Sequence, residues 1–278
     1  MTGHPAPLVV KLGGSVEDPA AVLDGVATHG APVILVHGAH RVLDDLATRL
    51  GHPPRFVTSP TGATSRYTDA TAMDHFLMAY CGLVNKRLVQ QLLARGVMAV
   101  GLAAMDAGMV RGRRRDSMRI REGERTLVLH GDHAGSIEHI DTSLLDTVLG
   151  GGGVPVLCPP ALGHDGIPIN VDGDRLAAEL AVAAGAERLV IFADTPGFLA
   201  DPGDPGSTVR SATLDELGGL EAAAHGRARV KLIAVERALR GGVSAVGLCD
   251  GTRADALPDA LAGAGSWFTA TAAATVPA

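Results

Sequence analysis

LVVKLGGS, residues 8–15, decides how the rest of the chain is read. Leu8–Leu12 reads as a short buried strand that ends in a lysine, and two glycines follow at once. Residues 19–28 carry a helical pattern, and PVILVHG (32–38) is a second buried strand. A strand, a glycine turn, a helix and a further strand form a parallel unit, because parallel neighbours need a crossover between them.

The alternation continues outward. Residues 40–50 are helical, with Val42, Leu43, Leu46 and Leu50 on one face. Residues 70–95 form a long helical stretch with a bend expected near Gly82, and MAVGL (98–102) is a strand. Further on, helical patterns at 140–149, 174–186, 214–220 and 230–240 alternate with strands VPVLCPP (154–160), RLVIFAD (188–194) and SAVGLCD (244–250). The expected fold is α/β: a three-layer, open, mostly parallel sheet with helices on both faces. Residues 111–136 break the rhythm and alternate loosely, with a turn at Glu122-Gly123-Glu124, so a small antiparallel β-hairpin insert is expected there. Residues 163–168 are the expected boundary between an N-terminal lobe (1–165) and a C-terminal lobe (166–268). The pattern-free tail 269–278 is expected to be disordered.

Composition narrows the class. Hydrophobic residues make up 46% of the 278 but aromatics only 3%, so the core must be thin layers of Ala, Val and Leu. The net charge of −6 argues against general nucleic-acid binding. Locally the sign reverses: RGRRRDSMRIREGER (111–125) holds seven arginines against three acids. A basic patch on an acidic protein suits an acidic docking partner, whereas most arginine clusters are solvated faces. Cys81, Cys158 and Cys249 stand far apart in the sequence within apolar runs, which fits a reducing compartment and no disulfide frame. The opening MTGHPAPLVVKLGG lacks the order of a signal peptide, and no apolar run approaches the ~18–20 residues of a membrane span. A cytoplasmic protein away from the membrane is expected.

Four short stretches could bear chemistry. In KLGGS, backbone N–H groups of a glycine turn can cradle phosphate oxygens, though an ordinary strand-to-helix turn looks the same. The chain lacks the GxxxxGK run of a P-loop. In INVDGD (169–174), Asp172 or Asp174 either caps a helix or aligns cations around a phosphate. DTPGFLAD (194–201) turns at the end of a parallel strand, where such sheets bind ligands. In GRARVK (226–231), Lys231 falls near the start of a helix, a position that favours anions, and so suits a phosphate contact. The H-x-x-H pairs His37/His40 and His130/His133 lie in turns without accompanying cysteines, and no metal site is expected from them.

KLGGS, the VHG loop, SRYTD (65–69), INVDGD, the DTPG turn and Lys231, in that order, resemble the amino acid kinase family across nearly the whole chain. The likeness is to its N-acetylglutamate kinase group. HPPRF (52–56), TSRYTD (64–69), YCGLVNKRL (80–88) and RGRRRDSMR (111–119) resemble the branch whose amino-acid substrate, aminoadipate or glutamate, is tethered by its amino group to a small acidic LysW-type carrier protein. The resemblance implies ATP-dependent phosphorylation of the side-chain carboxylate, Mg2+ accompanying ATP, and a homodimer.

The resemblance also implies roles, position by position. Lys11 touches the transferring phosphoryl group, and Gly13 and Gly14 offer it N–H groups. Gly38 and Ala39 hold the attacking carboxylate, Arg66 binds the substrate's α-carboxylate and Asn170 its backbone. Lys231 neutralises charge toward the leaving ADP, and Asp174 orients both lysines. Thr195, Pro196, Gly197, Phe198 and Leu199, with the stretch before Lys231, hold the nucleotide. Arg111, Arg113, Arg114, Arg115 and Arg119 dock the carrier. Ala39 stands where the family usually has a second glycine, and Ala228 where relatives often carry methionine. A carboxylate nucleophile is already ionised at neutral pH, so the chemistry needs no general base. Two other readings remain: a kinase of free N-acetylglutamate, against which the arginine cluster speaks, and a non-catalytic sensor, against which the lysine–aspartate–lysine set speaks.

Overall fold

The computed structural model describes residues 4–271 apart from Thr61, Ala63 and Glu124. β1 (Leu8–Leu12), α1 (Ala20–Thr28), β2 (Val33–His37) and α2 (His40–Arg49) form the unit expected from the first motif. Leu43 of α2 is buried, whereas Leu50, just past its end, is exposed. A hairpin of β3 (Arg55–Thr58) and β4 (Thr64–Tyr67) follows. α3 (Ala70–Leu77) and α4 (Asn85–Ala94) are joined through a π-helical segment, Met78–Val84. That segment contains Gly82, so the irregularity expected there is a change of helical pitch. β5 (Ala99–Ala103) comes next.

In the middle, β6 (Val110–Arg114) pairs antiparallel with β9 (Gly135–Ile140), and between them β7 (Ser117–Glu122) and β8 (Arg125–His130) make a separate hairpin. The expected insert is therefore two antiparallel pairs. Ile140 still pairs with Val110, so the helix expected from Ile140, α5 (Ser143–Gly150), begins later.

The remainder is β10 (Val154–Cys158), β11 (Pro160–Gly163), β12 (Pro168–Asn170), α6 (Gly173–Ala183), β13 (Arg188–Ala193), β14 (Ser211–Thr213), α7 (Leu214–Ala223), α8 (Gly226–Arg240), β15 (Ala245–Asp250), α9 (Ala256–Leu261) and β16 (Ser266–Thr269). Residues 163–168, the expected lobe boundary, form the turn between antiparallel β11 and β12. Thr269, the first residue of the expected tail, pairs with Ala245, and 272–278 lie outside the described residues.

The main sheet has eight strands in the order β14-β16-β15-β13-β1-β2-β10-β5. Six are parallel, and β16 runs antiparallel to β15 with β14 parallel to β16. Successive side chains of a strand point to opposite faces. Val9, Ile34 and Val36 thus meet Leu176, Leu180 and Val235 of α6 and α8 on one face. Leu8, Val10, Leu12 and Leu35 meet Leu23, Leu92 and Leu257 of α1, α4 and α9 on the other. Lys11 falls on the Val9 side, toward α6. Among the described residues, no helix is long and apolar enough to cross a membrane. Two cysteines distant in sequence are neighbours in space: Cys81 and Cys158 are free thiols with sulfurs 3.7 Å apart.

Candidate active site

Strand order places the site. β1 lies between β2, which follows it, and β13, which comes much later, so connections leave in opposite directions from adjacent carboxyl ends. Such a switch point opens a crevice. Here it is a cavity of about 510 Å³, lined from β1 by Lys11, Gly13 and Gly14, from β2 by Gly38, and from β13 by Asp194 and Thr195.

The two glycine loops touch. A Cβ on Gly14 would lie 2.6 Å from His40 Nδ1 and 3.0 Å from the Ala39 nitrogen, and one on Gly38 would lie 2.9 Å from the Gly14 nitrogen. Only hydrogen fits at either position. The amide budget differs from expectation. Gly13 N–H donates to the Phe192 carbonyl and Gly38 N–H to the Leu12 carbonyl, both at 2.9 Å. These amides extend the sheet beyond its strands and are not free for a ligand. Among the described residues, Gly14 N–H has no acceptor, and its nitrogen lies beside Gly38 of the second loop. Ala39 has φ −151° and ψ 24°, outside the left-handed region that favours glycine, so alanine is tolerated there. It is buried, and its backbone faces the Tyr80 hydroxyl; burial pushes the Tyr80 phenol up to about 12.

Helix α6 supplies the centre of charge. Asp172 is its N-cap, accepting from the Asp174 and Arg175 N–H groups at 2.9 Å each. Capping by Asp172 leaves the Asp174 side chain free to face the strand ends. Its Oδ1 lies 2.5 Å from Lys11 Nζ, and Lys231 Nζ donates to its Oδ2 at 2.8 Å. Burial alone would raise the Asp174 carboxyl, but the two ammonium groups, Lys11 foremost, hold it well below the usual carboxylate range. Lys231 is shifted down by burial and by the charge of Lys11, against the pull of Asp174. Asp172 is shifted up by burial and by the charge of Asp174. Helix α8 starts earlier than its pattern suggested, at Gly226, so Lys231 lies in its second turn rather than its first. Two cations clasp one carboxylate at the cavity floor, a setting for phosphate.

One end of the cavity is apolar with polar points. Leu43, Phe76, Tyr80 and Pro159 line it, with the Phe76 and Tyr80 rings stacked at 4.0 Å. Arg66 lines the same end, ion-paired to Asp44 and lying over the Phe56 ring. Asn170 Nδ2 donates to Thr68 Oγ1 at 3.1 Å. At the other end, Phe198 N–H donates to Ser266 Oγ, and Gly197 and Leu199 line the cavity while Pro196 does not.

The histidines separate. His37 is fully buried and receives a hydrogen bond from Asn85 Nδ2 at 3.2 Å; burial brings it down to about 4. His40 lines the cavity and contacts Arg227. Arg227 was not singled out by sequence; its signal was the four-residue spacing to Lys231, which puts both on one helical face. Tyr80 and Phe76 were missed too, because nothing local distinguishes them from core aromatics.

The five expected docking arginines do not behave alike. Arg113 pairs with Glu138 at 3.0 Å, and half-buried Arg114 is held by Asp165 and Asp116. Arg111, Arg115 and Arg119 are exposed, with no carboxylate partner among the described residues. Arg119 and Arg121 stand opposite Val128 and Thr126 on one face of the β7–β8 hairpin.

Comparison with known proteins agrees with this fold. Over 263 residues the chain is 42% identical to the LysW-aminoadipate kinase of Deinococcus radiodurans, covering 93% of this chain and 90% of that one. It is 40% identical over 265 residues to the LysW-aminoadipate kinase of Thermus thermophilus, covering 93% and 98%. Among solved structures, N-acetylglutamate synthase from Neisseria gonorrhoeae superposes with a TM-score of 0.76 at 25% identity over 96% of this chain, which spans 60% of the synthase chain. Carbamate kinase from Giardia lamblia shares the fold, with a TM-score of 0.65 at 14% identity over 97% of this chain and 99% of that one. The sequence pattern of the amino acid kinase family matches residues 6–248, and this chain, with its glycine loops and lysine–aspartate–lysine clasp at the sheet's switch point, belongs to the amino acid kinase family.

Proposed function

We propose that the chain catalyses ATP-dependent phosphorylation of the side-chain carboxylate of aminoadipate or glutamate bound through its amino group to a LysW-type carrier protein. The observation that supports this most directly is Asp174 clasping Lys11 and Lys231 beside the joined glycine loops.

In this reading a carboxylate oxygen attacks the γ-phosphorus. An O–P bond forms, the bond from phosphorus to the β,γ-bridging oxygen breaks, and ADP leaves with that electron pair. No proton moves, which suits a site without a general base. Lys11 lies by the transferring group and Lys231 toward the leaving oxygen, with Asp174 fixing both ammonium groups. Gly14 N–H, rather than that of Gly13, meets the phosphoryl oxygen. On the substrate side, the Gly38–Ala39 loop, Arg66 and Asn170 bind the amino acid. Thr195, Gly197, Phe198 and Leu199 border the nucleotide. The N-terminal part thus takes the amino acid and carrier and the C-terminal part the nucleotide.

Mg2+ enters with ATP, coordinated by phosphate oxygens and water as that ion prefers. Asp174 is committed to two ammonium groups, while Asp172 and Asp194 stand at the cavity wall. The carrier, being acidic, meets the exposed arginines around β7. A homodimer forms through the β5 edge, where Val100 and the preceding Met98 are exposed.

The test is acyl-phosphate formation trapped with hydroxylamine, comparing glutamate and aminoadipate on a LysW-type carrier with free N-acetylglutamate. Turnover confined to carrier-linked substrate is expected. Turnover of free N-acetylglutamate alone would move the protein to the free-substrate kinases.

A further inference from the structure

The clasp takes Lys11 and Lys231 of the cavity's cations, Arg66 pairs with Asp44 and Arg41 with Glu17 and Asp194, and Arg227 is left over. Arg227 lines the cavity from the first turn of α8, one turn before Lys231 and on the same face. Its guanidinium has no carboxylate partner among the described residues. Instead Arg227 Nη1–H donates to His40 Nε2 at 2.7 Å. With Nε2 accepting, the proton of a neutral imidazole sits on Nδ1, and Nδ1 faces Gly14. One small ring therefore touches α8 with one nitrogen and the β1 loop with the other. It does so from the first residue of α2, directly after the Gly38–Ala39 loop. Burial, then the charge of Arg227, brings His40 down to about 4, so the ring stays a neutral acceptor at working pH.

A guanidinium held by a neutral partner at the mouth of an anion-binding cavity keeps its full charge for a ligand, and its planar donors match phosphate oxygens. We propose that Arg227 is a third cationic group of the active site, contacting the transferring phosphoryl group from the α8 side, and that His40 is the positioning residue holding it beside the joined Gly14 and Gly38 loops. The inference rests on the kinase reading above. As the O–P bond to the carboxylate forms and the bond to ADP breaks, Arg227 stays protonated and shares the charge of the phosphoryl oxygens. Lys11 meets the same group and Lys231 the leaving oxygen.

The experiment measures hydroxamate formation for Arg227→Ala, Arg227→Lys, His40→Ala, His40→Gln and the double alanine variant, after thermal melts confirm folding. Arg227→Ala should lower kcat by about 10²-fold, the cost of one transition-state donor. The KM for the carrier-linked substrate should change little, and Arg227→Lys should recover part of the rate. His40→Ala should cost about tenfold through a displaced guanidinium. His40→Gln, which keeps an acceptor, should restore most of it. The double variant should be no slower than Arg227→Ala, since His40 acts through that side chain. A kcat unchanged in Arg227→Ala, a defect confined to the KM for ATP, or losses that multiply in the double variant would each overturn the inference. If the unaltered enzyme forms no acyl phosphate from any offered carboxylate, the kinase reading fails separately. The variants are then compared for affinity toward ADP with aluminium fluoride, which mimics a phosphoryl group in transfer, and equal affinity in Arg227→Ala rejects the role.

Discussion

Lys11 Nζ lies 2.5 Å from Asp174 Oδ1, joining the end of the central strand to the first turn of the helix that packs across it. Removing one member of a buried charged set is costly, about 3–5 kcal/mol, because the others are left unpaired. Asp174→Ala should therefore lower stability as well as turnover. Asp174→Asn keeps the volume and should lower kcat by about 10²-fold, through ammonium groups no longer held in place. Thermal melts and hydroxamate assays on both variants check this; full turnover in Asp174→Asn would remove the orienting role.

The same clasp sets a pH dependence. Asp174 is held below its ordinary 3.8, so its stabilising contribution is present above that pH and drains away as pH falls below it. Lys231 is shifted below its ordinary 10.5, so it loses its proton earlier than a free lysine. Activity should fall on the alkaline side before pH 10.5. Between the lowered value and 10.5 the unfolded chain binds the extra proton, so the Lys231 contribution to stability rises with pH while activity falls. Denaturant melts and kcat measured over that range should move in opposite directions, an effect absent in Lys231→Met.

Glycine and alanine at the loops should respond in opposite ways. A Cβ on Gly13 would sit 2.6 Å from the Phe192 carbonyl oxygen, a backbone atom inside the sheet. Gly13→Ala should cost about 1–3 kcal/mol through overpacking and disturb the Lys11 strand end. Ala39→Gly, by contrast, relieves no left-handed strain, because φ is already negative. It should keep turnover within a few-fold and cost about 0.5–1 kcal/mol through added freedom of the unfolded chain. Paired melts and rates on the two variants provide the check, and a marked gain in rate from Ala39→Gly would contradict it.

Carrier docking should depend on the arginines that lack partners. Arg115→Glu with Arg119→Glu should weaken carrier binding and flatten its salt dependence without altering ATP affinity. Arg114→Glu should instead disturb the local structure, because Arg114 holds Asp165 and Asp116. Titrations of carrier at low and high salt separate the two, and unchanged affinity in the double variant would end the docking proposal.

Much of the sheet was legible because its parallel strands are continuous β-branched runs separated by amphipathic helices. β11, β12, β14 and β16 were not, since strands of three or four residues leave no period to count and are fixed by distant partners. The lysine–aspartate–lysine set was readable through resemblance. Which glycine amide remains open was not, because Gly13 and Gly38 lose theirs to Phe192 and Leu12 only through the register of neighbouring strands. The Arg227–His40 contact and the Cys81–Cys158 approach likewise depend on folding that brings remote segments together.

The position of β1 between β2 and β13 has an evolutionary consequence. In the proposed reading the loop for one reactant hangs from β2 and that for the other from β13, while Lys11 belongs to the strand between them. Substitutions around β2, α3 and the hairpins can then retarget the acceptor without redesigning the donor side. One scaffold can diversify by changing half of its crevice at a time.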